Sequence, residues 1–245
     1  MEKENGIKPL IGQKGISGST IKMIAIISMF IDHVGAVVVE RMLYFPQQGK
    51  RLWTLYMILR SIGRLGFPIF CFLLVTGFMH TRNVWKYALR LGLFALLSEV
   101  PFDLAFSDSW MYMGYQNVFF TLLIGLLVMI FLDRVGKRKW HIALKLPLWL
   151  AGIAAGMYAA EFLKTDYGAL GVMCIVTIFI FRRQRLAQVI AGAVVFLWEI
   201  PASLAFLPVA AYNGKRGWRM KYVFYAFYPC HLLVLYGIAW MLNLT

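Results

Sequence analysis

With 245 residues, 61% of them hydrophobic and only 15% charged, the chain is too apolar for a soluble globular domain and reads as a polytopic membrane protein. A net charge of +14 would suit nucleic acid in a soluble protein, but here Lys and Arg gather between apolar stretches as topology signals do, and nucleic-acid binding is excluded. Cys71, Cys174 and Cys230 lie in apolar sequence without paired spacing, so neither a disulfide framework nor a metal site is expected.

A polar tail, residues 1–18, precedes a single transmembrane helical domain, residues 19–245. The apolar run after the tail has no small-residue cleavage site, so a signal peptide is not expected. That first run, residues 19–40, carries Lys22, Asp32 and His33, three groups that lipid rejects and that therefore require a protein interior. On a helix, Lys22 and His33 fall within about 20° of one face and roughly 16 Å apart, so they can line one cavity. Asp32 points about 100° away from His33 and needs a partner on another element.

Residues 41–59 form a linker with room for a short amphipathic helix. Apolar stretches then follow at about 62–80, 84–101, 116–132, 146–162 and 167–181. The stretch 187–212 is broken by Pro201 and Pro208, which suggests two half-helices that return the chain to the side it came from. A last span covers about 222–243. The expected fold is an all-α polytopic membrane bundle of about eight to nine transmembrane helices in the cell membrane. Basic residues at 82–90, 134–145 and 182–185 mark the cytoplasmic side and place the amino terminus there. Arg60 and Arg64 break that pattern and, four residues apart on one helical face, suit a polar cavity.

Several segments in order, TIKMIAIISMFIDHVG, GRLGFPIFCFLLVTGFMHTRN, QNVFFTLLIG, DYGALGV, YNGKRG and FYAFYPCHLLVLYGI, resemble the TraX family of membrane proteins, named for a conjugation protein needed for pilin N-acetylation. The match runs over almost the whole chain from Thr20. Lys22 and His33, with ten residues between them, also resemble the first-helix signature of acyltransferase family three. That resemblance implies acyl transfer from cytoplasmic acyl-CoA to an acceptor at or beyond the other face. His231 matches a histidine of the family pattern.

Acyl transfer from a thioester needs a base for the acceptor's proton and donors for the developing oxyanion. His33 is the expected base, its basicity raised by Asp32 or another nearby carboxylate and its ring a candidate for orientation by Glu99 or Glu199, and His231 is the second candidate. Asn117 opens the fourth span and either caps it or donates to a carbonyl. Lys22 is too far along its helix to touch the reacting carbon and suits a cofactor phosphate, as do Arg64, Arg82, Lys86 and Arg90. One cofactor need not reach both Arg64 and Arg82, which alternation puts at opposite ends of their helix. Glu99 and Glu199, each two residues before a proline, are candidate cavity walls, and Asp166 either caps the sixth span or faces an acceptor. The cofactor implied is acetyl-CoA or another acyl-CoA without a metal, and the partners are the bilayer and an amine or hydroxyl acceptor such as a pilin amino terminus, a sugar or a small amine. The alternatives are a proton-coupled transporter and a structural component of a conjugation system.

Overall fold

Helices and one π-helical turn, with no strand among the described residues, make up the computed structural model, which describes residues 15–45, 49–218 and 221–244. Most of the tail, including Gly6, lies outside those residues. α1 (Gly18–His33) begins where the Ser17 hydroxyl accepts the Thr20 N–H at 3.3 Å, satisfying a first-turn donor. It continues directly into a π-helical segment (Val34–Val39) and α2 (Glu40–Leu43). The linker does hold an amphipathic helix, α3 (Lys50–Gly63), which leads into α4 (Gly66–His80). Together they run back along α1: Gly35 abuts Leu59 and Arg60, and Gly66 abuts Ala25 and Met29. Side chains at those glycines would hold the helices apart.

α5 (Val84–Ser107) is capped by Asn83, whose side chain accepts the Lys86 N–H at 2.9 Å. It runs six residues past Pro101, the end expected from sequence, and stops at Asp108 in a left-handed turn with φ 50°. A proline inside a bundle helix is tolerated where neighbouring helices cover the freed backbone groups. α6 (Val118–Lys137), α7 (Ile142–Phe162) and α8 (Gly168–Ile180) follow, and α12 (Lys221–Met241) closes the chain. Leu126, Met129, Ile175 and Ile178 of α6 and α8 are fully buried in the same core as Phe72 of α4. α7 contributes only Gly156 and Ala160 to the interior and leaves its outer flank bare.

Each expected apolar stretch is helical. Five helical runs are long and apolar enough to cross a bilayer: Gly18–Leu43, Lys50–His80, Val118–Lys137, Ile142–Phe162 and Val223–Met241. α5 has 24 residues, but Lys86, Arg90, Glu99 and Asp103 interrupt its apolar character. α8, with 13 residues, extends about 20 Å, less than the roughly 30 Å hydrocarbon core.

The break expected in the seventh stretch is present as α9 (Arg185–Val195), α10 (Ile200–Ser203) and α11 (Phe206–Ala210). These form a re-entrant hairpin. Its base is tied by the buried Arg185, which donates to Gln188 Oε1 at 2.9 Å and to the Val209 carbonyl. The Ile16 N–H donates to the Ala211 carbonyl at 2.8 Å, and the Asn213 N–H donates to the Ile16 carbonyl at 3.0 Å, so the chain returns to the start of α1. Lys215 and Arg216 therefore share a side with the amino-terminal end of α1. The hairpin tip, Trp198–Glu199, reaches a cavity inside the bundle.

Candidate functional site

Two cavities lie along α1 and share the walls Met29, Phe70, Val118 and Tyr228. The larger, about 400 Å³, is polar and includes Asp32, His33, Arg60, Arg64, Asp166 and Glu199. The smaller, about 200 Å³, is an apolar throat in which Lys22 is the one cation on the wall. Lys22 stands at its end with Nζ 5.4 Å from the centre of the Phe224 ring. Helical periodicity suggests that Lys22 and His33 line one cavity; instead His33 lines the polar cavity and Lys22 the throat, two cavities that share four wall residues.

His33 of α1 meets His231 of α12 with Nδ1 to Nε2 at 2.6 Å, the two rings lying parallel. A backbone carbonyl only accepts, so the 2.7 Å contact between His231 Nδ1 and the Phe227 carbonyl fixes the proton on that nitrogen. In the neutral pair, His231 Nε2 is then the acceptor and His33 Nδ1 the donor. His33 Nε2 is left with a free lone pair at the cavity wall. Phe106 and Tyr228 stand edge-on to the His33 ring, with centroids at 5.5 and 6.0 Å, and Phe30 and Phe227 flank His231. The aromatic rings pack around the pair. The partner of His33 is therefore a second imidazole and not a carboxylate.

Asp32 finds its partner in Arg60, with Oδ2 to Nη1 at 2.5 Å, and a side chain at Gly63 would collide with Asp32. One turn along, Arg64 Nε pairs with Glu199 Oε1 of the hairpin tip at 2.6 Å. Both guanidiniums are neutralised locally and retain N–H donors. Asp166 differs. Its carboxylate accepts a hydrogen bond from the Tyr115 hydroxyl and pairs with no cation among the described residues. Burial raises the Asp166 carboxyl to about 6, the Tyr115 hydrogen bond partly opposing it. The loops that carry Tyr115 and Asp166 are joined where the Gln116 N–H donates to the Lys164 carbonyl at 3.0 Å.

The other residues singled out from sequence are dispersed. Asn117 is fully buried as the cap of α6: its Oδ1 accepts the Phe119 N–H at 3.0 Å, and its Nδ2 donates to the Ala95 carbonyl at 2.9 Å and to Glu99. Neither Asn117 nor Glu99 lines the polar cavity, whereas Glu199 does. Arg82, just before the cap of α5, and Lys86 on its first turn are exposed, and Arg90 lies with its guanidinium 5.7 Å from the Tyr87 ring centre, beside the throat. Arg64 lies with His33 and not with Lys22. Sequence inspection missed Tyr115 and Tyr228. Tyr228 had a signal, since it lies three residues before His231 on one helix face. Tyr115 had none, because its role depends on two loops meeting.

The family model for "TraX protein" matches residues 17–239. A probable fimbrial assembly protein of Dichelobacter nodosus, FimC, is 30% identical over 249 aligned residues, covering 89% of this chain and 94% of the relative. No solved structure matches the chain.

Proposed function

Because the chain belongs to the TraX family of membrane proteins, we propose that it is an integral membrane acyltransferase that uses acetyl-CoA or another acyl-CoA as donor. The observation that carries this reading is the His33–His231 dyad, with His33 Nε2 unpartnered at the wall of a polar cavity. In the proposed reaction the acceptor N–H or O–H attacks the thioester carbonyl while His33 Nε2 takes its proton. The spare N–H groups of Arg60 and Arg64 hold the oxyanion. As the C–S bond breaks, the proton passes from His33 to the departing thiolate. His231 is a positioning residue in this scheme. The pantetheine arm occupies the throat, with Lys22 and Arg90 near the CoA phosphates and Arg82 and Lys86 beyond them.

The orientation that suits this scheme has the Lys22 end in the cytoplasm and the Asp166 end outside. Lys215 and Arg216, returned to the Lys22 end by the hairpin, support it through the positive-inside rule. Asp166, a carboxylate without a cation partner among the described residues, favours an amine that arrives as an ammonium and gives one proton to Asp166 or to water before its neutral nitrogen attacks. The relative's description as a fimbrial assembly protein makes a pilin amino terminus a fitting acceptor.

Purified protein incubated with labelled acetyl-CoA should bind and slowly hydrolyse it. His33→Ala should lose about 10²–10⁴ in turnover while still binding the donor. A folded His33→Ala protein with unchanged turnover removes the base assignment. The passage along α1 and the re-entrant hairpin also suit a proton-coupled carrier. That second reading gains if proteoliposomes show His33-dependent proton flux and the protein binds no acyl-CoA.

A further inference from the structure

A third cavity, about 390 Å³, opens where the ends of α6 and α8 meet the start of α7, and it shares no residue with the two cavities along α1. It has two halves of opposite character. Leu132, Trp149, Ile153, Phe179 and Ile180 form an apolar inner wall, with the Trp149 indole held by donation to the Leu132 carbonyl at 3.2 Å. Lys137, Arg182 and Arg183 stand at the rim. The rim's single carboxylate, Asp133, is shared between Lys137 at 2.5 Å and Arg182 at 3.8 Å. Arg183 is exposed and has no carboxylate partner among the described residues, and Lys145 adds another cation by donating to the Gly136 carbonyl at 3.1 Å. Positive charge is therefore in excess at the rim.

A free phosphate would use the rim and leave the apolar wall idle. A glycerophospholipid uses both, with its phosphate among the cations and its first methylenes against Trp149 and Ile153. The position also fits. Leu146 and Leu150 on the bare flank of α7 are exposed, so the wedge faces the region that acyl chains occupy in a bilayer. We propose that this wedge binds one anionic glycerophospholipid, with Lys137, Arg182 and Arg183 on its phosphate.

The test is native mass spectrometry of the full-length protein in detergent, titrated with dioleoyl phosphatidylglycerol or dioleoyl phosphatidylcholine. One phosphatidylglycerol should be retained in preference to phosphatidylcholine. Lys137→Gln with Arg183→Gln removes two exposed charges and should weaken retention about 20-fold, at roughly fivefold for each basic residue near an anionic lipid. An unchanged melting temperature would show that this double variant is folded. Equal retention of the two lipids, or unaltered retention by a folded double variant, overturns the proposal. Displacement of the lipid by millimolar inorganic phosphate overturns it in favour of a simple anion site.

Discussion

The two cavities along α1 treat charge in opposite ways. In the polar cavity both arginines are matched to carboxylates brought from other elements, Asp32 from α1 and Glu199 from the hairpin tip. In the throat Lys22 has only an aromatic ring beside it. Charges placed deep in a bundle must be paired where they stand, because an unpaired charge there is costly. A lysine near a helix end keeps its charge through its reach towards the interface. The two ion-paired arginines are therefore fixed parts of the architecture, and Lys22 has no carboxylate partner among the described residues.

The strongest way to break that contrast is to unpair one deep charge. Arg60→Ala should destabilise the protein by about 3 kcal/mol, because it strands the Asp32 carboxylate. Asp32→Asn combined with Arg60→Gln should recover most of that loss. Lys22→Ala should stay within about 0.5 kcal/mol of the parent. Thermal denaturation in detergent measures all three, and equal losses for Arg60→Ala and Lys22→Ala would erase the distinction.

Next in size is the dyad. His231→Ala should lower turnover by about 10–100-fold with acetyl-CoA affinity unchanged, the scale at which loss of an orienting partner acts on an imidazole. Steady-state kinetics decide it; a change in KM alone would put His231 in donor binding instead. Third is the throat itself. A Cβ at Gly77 would lie 3.0 Å from the Tyr87 hydroxyl, so Gly77→Leu should crowd the passage and raise KM for acetyl-CoA by about tenfold. The same variant should leave acceptor KM alone.

The smallest expected effect concerns pH. Asp166, raised to about 6, carries its charge above that pH and loses it below. For an amine acceptor KM should therefore rise a few-fold, on the order of the Coulombic gain at a partly screened site, as pH falls from about 7.5 to about 5. Asp166→Asn should flatten this dependence, and a hydroxyl acceptor should not show it. Identical profiles for the parent and Asp166→Asn would exclude Asp166 as the ammonium partner.

The helices, the amphipathic linker and the broken seventh stretch were legible in the sequence because hydropathy and proline placement are local properties. The shared face of Lys22 and His33 was legible too, since the 100° step of one helix aligns them, but not that they line two separate cavities. Partner choice was not. His33 and His231 are separated by almost the whole chain, and only the packing of α1 near α12 makes one imidazole the orienting group of the other. Asn117 shows the same limit. Capping and donation to a substrate oxyanion suit the same residue at the same helix start, and only the packing shows that its Oδ1 caps while its Nδ2 is taken by Ala95 and Glu99.

The π-helical turn at Val34–Val39 gives α1 one residue more than a regular helix of the same path would need. It therefore works as a phase adjuster between two sets of contacts. Upstream, the α-helical register aims His33 at His231. Downstream, Glu40 accepts the Tyr56 hydroxyl at 3.2 Å and Arg41 pairs with Asp108 at 2.9 Å. Removing one valine from 37–39 would regularise the helix and leave both His33 and the Glu40 and Arg41 contacts in phase. A residue lost from this turn is absorbed there, and the contacts on both sides of it stay in place.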